Sequence, residues 1–101
     1  MILHQVVFRF REGTTDEQVR EVTDALTAMA ARNPAVRLYR CGPNLHLRPG
    51  GADYGVAAVV DDEAGLVAYL DSPEHLDIFE RLLKPIVAER SAVQLDVGSL
   101  L

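Results

Sequence analysis

The sequence holds 101 residues, 49% hydrophobic and 25% charged, which fits one ordinary globular domain and excludes a disordered chain. A formal net charge of -5 removes the basic field on which nucleic-acid binders depend, so no nucleic acid is expected as a partner. No apolar run approaches the roughly 18–20 residues that span a membrane, and the single cysteine, Cys41, cannot close an internal disulfide, so a cytoplasmic protein without a membrane partner is expected.

Residues 2–11 alternate in period two. Ile2, His4, Val6, Phe8 and Phe10 share one face, and Leu3, Gln5, Val7, Arg9 and Arg11 the other. Alternation rich in aromatic and β-branched residues predicts a strand and not a secretory leader. Gly13 ends it. Both Thr14-x-x-Glu17 and Thr15-x-x-Gln18 fit a capping box, and Val19, Val22, Leu26 and Met29 draw one apolar stripe on a helix over 16–32. Asn33-Pro34 stops that helix, because a residue before proline avoids helical angles.

A second strand is predicted over 35–41, followed by a Gly42-Pro43-Asn44 turn and a loop over 45–52. Residues 54–61 form a nearly all-apolar third strand, the pattern of a strand buried on both faces. Asp61 or Asp62 caps a short helix ending near Leu70. Ser72-Pro73 then starts another helix, with serine as cap and proline in the first turn. Its stripe is Leu76, Phe79, Leu82, Leu83, Ile86 and Val87, with Pro85 a kink or a break. Residues 91–97 make the last strand.

Strand, helix, strand, strand, helix, strand predicts an α+β, ferredoxin-like fold: a four-stranded antiparallel sheet with helices on one face, in a single domain over 1–101. One helical layer covers one sheet face only. The other carries Leu3, Val7, Ala57 and Val59, an apolar patch that predicts a homodimer joined through its sheets.

Several stretches together resemble the stress-responsive dimeric α/β-barrel (Dabb) family. They are His4-Gln5-Val6-Val7-Phe8-Arg9-Phe10, Gly13-Thr14, Gly42-Pro43-Asn44, Asp53-Tyr54, Tyr69-Leu70-Asp71-Ser72-Pro73-Glu74-His75 and Ala92-Val93-Gln94-Leu95-Asp96-Val97. The resemblance covers essentially the whole chain and implies pairing of two sheets into a barrel. A plant branch, the olivetolic acid cyclases, closes polyketide rings by aldol chemistry without metal or organic cofactor. Carried over position by position, Tyr69 matches the catalytic tyrosine, His75 the catalytic histidine and His4 the first-strand histidine of the pocket. Val56 stands where that branch has a further pocket histidine, which leaves the polar set incomplete.

Each candidate has two readings. His75 falls in the first turn of its helix, where the dipole disfavours imidazolium; it is a neutral general base or a surface histidine. Tyr69 is a donor to developing negative charge or a core aromatic with a bonded hydroxyl. His4 lines a pocket or is a satisfied core histidine. No third ligand stands at telling spacing near His4 and His75, so neither metal nor cofactor is expected. Three functions remain open. The first is a cofactor-free cyclase using His75 and Tyr69, with His4 orienting the substrate and Phe8, Val56, Phe79 and Leu83 holding a small apolar or polyketide-like molecule. The second is a non-catalytic, stress-associated binding or structural dimer. The third is a cofactor-independent monooxygenase-like enzyme, by analogy of fold.

Overall fold

In the computed structural model, which describes residues 1–99, the elements follow the predicted order. They are β1 (Ile2–Phe10), α1 (Asp16–Arg32), β2 (Val36–Pro43), β3 (Tyr54–Val60), α2 (Glu63–Leu70), α3 (Pro73–Ile78) and β4 (Val87–Asp96), with a π-helical turn, Phe79–Leu83, continuing α3. The four strands form one antiparallel sheet in the order β2-β3-β1-β4. Helices cover one face, and the shortest dimension, 18 Å, is that of one sheet plus one helical layer. The fold is ferredoxin-like.

Local chemistry explains each boundary near the site. Thr15 caps α1 with the full reciprocal box: the Gln18 N–H donates to the Thr15 hydroxyl at 3.1 Å, and the Thr15 N–H donates to the Gln18 side chain at 2.9 Å. Asp62 caps α2 by accepting from the Gly65 N–H, and Ser72 caps α3 by accepting from the His75 N–H at 3.2 Å. Pro73 occupies the first turn, where its missing donor costs nothing.

The predicted β1 alternation puts His4, Val6 and Phe8 into the core, with Gln5 and Arg9 exposed. Tyr54, Val56, Ala58 and Val60 of β3 join them, together with Val22, Leu26 and Met29 of α1. Val59 points the other way yet is fully buried, set between Leu3 of β1 and Leu38 of β2 in the register.

Three expectations need correction. The last strand begins at Val87 and not at 91, so Val87 belongs to the sheet and leaves the helical stripe. The cause is Pro85, which has no N–H to give the Arg81 carbonyl and whose ring would strike it. The helix widens instead: the Lys84 N–H reaches five residues back to the Phe79 carbonyl at 2.8 Å, and the chain then turns into β4. Leu76 is about half exposed and packs little. The second strand also runs on through Gly42-Pro43, which pair with Gly55 and Tyr54 instead of forming a turn.

Candidate small-molecule site

β4 is the uncovered flank of the helical face. Its residues on that side, Arg90, Ala92 and Gln94, lie opposite Phe8, Val6 and His4, and no helix packs over them. Between β1 and β3 below and α1, α2 and α3 above, this leaves a cavity of about 290 Å³. That is near the lower end of the roughly 300–1,000 Å³ typical of small-molecule sites. All seven residues singled out from the sequence lie on its wall: His4 and Phe8 from β1, Val56 from β3, Tyr69 from α2, His75 from α3, and Phe79 and Leu83 from the π-helical turn.

The polar groups form a short chain of rings. Tyr69 sits centrally, 2% exposed, its ring edge-on to His75 at a centroid distance of 4.9 Å and to His4 at 6.2 Å. Its hydroxyl donates to the Tyr39 hydroxyl at 3.3 Å, long for an O–H···O bond. Burial raises the pKa of both phenols above the ordinary tyrosine value, so both remain protonated donors.

The two histidines differ. His4 is 2% exposed, and its Nδ1 lies 2.8 Å from the Gln94 side-chain nitrogen. An amide nitrogen only donates, so Nδ1 accepts and the ring proton sits on Nε2. His75 has its backbone N–H on the Ser72 cap, while its Nδ1 is buried with no hydrogen-bond partner. Burial lowers both imidazole pKa values, and the positive charge of Arg90 adds to it. On His75 the Leu70 carbonyl and, more weakly, Asp71 pull the other way. Both rings are therefore neutral at pH 7.

Tyr39 and Arg90 line the cavity without having been singled out from the sequence. Tyr39 reaches it because β2 carries an irregularity between Val36 and Leu38 that turns Val36, Tyr39 and Cys41 together toward the core. Simple alternation does not reveal that. Arg90 lies between the helical stripe ending at Val87 and the strand predicted from 91, in a stretch given no element. Among the described residues no three His, Cys, Asp or Glu side chains converge. His46 stands in the loop after β2 with φ of 52°, away from the cavity.

An open-faced α+β sandwich with a walled cavity under its helices defines the class of protein. The chain belongs to the stress responsive A/B barrel domain (Dabb) family, whose model it matches over residues 2–97. An uncharacterized Streptomyces coelicolor protein, SCO4036, is 30% identical over 77 residues, which cover 74% of this chain and 79% of that one. A dimeric ferredoxin-like protein of unknown function from Thermobifida fusca is 35% identical, with a TM-score of 0.87 over 95% of this chain and 90% of that one. The hydroxynitrile lyase of Passiflora edulis shares the fold at 13% identity, with a TM-score of 0.82 over 99% of this chain and 95% of that one.

Proposed function

We propose that the cavity binds a small apolar carbonyl compound and that His75 and Tyr69 perform cofactor-free acid–base chemistry on it. The observation that carries this is the His75 Nδ1, a buried nitrogen without a partner beside the hydroxyl-bearing Tyr69 ring in an apolar-walled space. A buried polar atom left unpaired costs stability, and such atoms gather where a ligand or a reaction completes them. Phe8, Val56, Phe79 and Leu83 supply the apolar wall, and His4, held by Gln94, orients the ligand.

The chemistry is an aldol-type closure. Neutral His75 takes a proton from the carbon α to a carbonyl, and the C–H electron pair moves toward the carbonyl oxygen to give an enolate. Tyr69 turns its weak hydrogen bond from Tyr39 to that oxygen and stabilises the charge. The enolate carbon then forms a bond to a second carbonyl carbon. The alkoxide that results recovers a proton from the His75 imidazolium, so no proton or electron is left over. One relative of this fold, at 13% identity, is a hydroxynitrile lyase, which supports an enzymatic reading at the level of the fold. The partner is a second copy of the chain, paired through the open sheet face; a relative in Thermobifida fusca is described as dimeric.

Turnover of a trial β-polyketo compound tests the chemistry. His75→Ala lowers it by about 10²–10⁴, the usual worth of a positioned base, and Tyr69→Phe by about 10²–10³. Activity surviving both substitutions would exclude the mechanism. The non-catalytic reading rests on the bonded state of His4, Tyr39 and Tyr69, whose polar groups on the wall already have partners in one another or in Gln94. Binding without turnover would favour it.

A further inference from the structure

The cavity wall carries one formal charge, and it is positive. Arg90 enters from β4, opposite Phe8, at the flank that no helix covers. No aspartate or glutamate lines the cavity. In a chain of net charge -5 that is a local reversal of sign. Elsewhere among the described residues Arg9 pairs with Glu89, Arg32 with Glu74, Arg37 with Asp61, Arg81 with Asp77 and Lys84 with Glu80, while Arg11, Arg20, Arg40 and Arg48, which have no carboxylate partner there, stand outside the cavity. Glu89, the sequence neighbour of Arg90, is on the opposite face of the sheet and engaged by Arg9. The Arg90 guanidinium has neither a carboxylate nor a carbonyl partner within the described residues.

We infer that the ligand of this cavity is an apolar or aromatic carboxylate, held by Arg90 at the β4 flank with its apolar body against Phe8, Phe79 and Leu83. This rests on the reading of the cavity as a ligand site and adds the ligand's charge to it. A guanidinium presents two parallel N–H donors that match a carboxylate, and an apolar surround on one side strengthens the pair. The other polar groups of the wall suit the opposite end of the same molecule: two neutral imidazoles and two protonated phenols bind a carbonyl or hydroxyl and supply no charge to balance an anion. Arg90 also acts at a distance on both His4 and His75, depressing their basicity. Its reach therefore covers both imidazoles and the Tyr69 phenol.

Titrations of 4-propylbenzoate and 4-propylbenzamide, followed by NMR on the His75 and Tyr69 ring signals at pH 7.5 and low salt, test this. The two probes differ in charge and hardly in shape. The benzoate is expected to bind at least about tenfold more tightly, the worth of a charge-assisted hydrogen bond. Arg90→Gln should abolish that preference while both probes still shift the His75 and Tyr69 signals, which also shows that the variant has folded. Arg90→Lys should keep only part of it, because a point charge replaces the fork. Equal affinities in the wild type, or a preference that survives Arg90→Gln, would overturn the anion inference and leave the cavity reading standing. No response of either ring to either probe at millimolar concentration would overturn both.

Discussion

His75 and Tyr69 meet because a serine cap and a helix end are adjacent in the chain. Tyr69 is the penultimate residue of α2, and His75 is the third of α3, with Ser72 between them accepting the His75 N–H. A spacing legible in the sequence thus becomes ring contact. What the sequence does not carry is the state of each nitrogen, which depends on Gln94 across the sheet and on the lack of a partner at the buried Nδ1 of His75. That state has a consequence for stability. Folding lowers both imidazole pKa values below 6.5, so the unfolded chain binds more protons than the folded one between the folded values and 6.5. Stability must then rise with pH across that window, and falls as the solution is acidified through it. Denaturant titrations at pH 7 and pH 5 should show the loss, and a His4→Gln/His75→Gln double variant should show less of it. An equal pH dependence in the double variant would assign the loss to other groups.

At the scale of elements, caps and prolines were the legible features, and they set most boundaries correctly. The exceptions were the end of β2, which runs on through Gly42-Pro43, and the strand β4. Its first residues, Val87-Ala88-Glu89-Arg90, carry little alternating apolar signal, and every residue after Val87 is exposed. Period two is a signature of one buried face, and an edge strand with no helix above it has none to display. The same exposure hides Arg90 from a search for buried polar residues. Tyr39 was hidden differently, by the extra residue in β2 that shifts its face. Ser72 is the element-scale device on which the site depends. Ser72→Ala removes the bond to the His75 N–H and should cost about 1 kcal/mol of stability. In a domain of this size that lowers Tm by roughly 4–8 °C. Because α3 holds His75, the same change should weaken ligand binding at the cavity, whereas Thr15→Ala, at the distant start of α1, should lower Tm similarly and leave binding intact. Calorimetric melting beside ligand titration separates the two; equal effects on binding would deny Ser72 its positioning role.

The whole molecule leaves half of its sheet uncovered. Helices protect the face that holds the cavity, while Leu3, Val7, Ala57, Val93 and Leu95 occupy the other, and Val93 and Leu95 are 48% and 46% exposed. Leu95 stands opposite Leu3, so apolar surface runs from β4 onto β1 there, while Val93 stands opposite the exposed Gln5. Contiguous apolar surface of this kind marks an interaction site, and a two-fold axis through it closes the pairing with identical surfaces. Pairing through that face would add a second core between sheets, offsetting in a chain of 101 residues the yield that the cavity takes from the first. The expected solution species is therefore a dimer at micromolar concentration by light scattering. Val93→Glu with Leu95→Glu places like charges against each other across the axis without touching the inner core. That variant should run as a monomer, keep its far-UV circular dichroism and melt at lower temperature. A wild-type chain that scatters as a monomer would refute the pairing, and a double variant that stays dimeric would move the interface off this face.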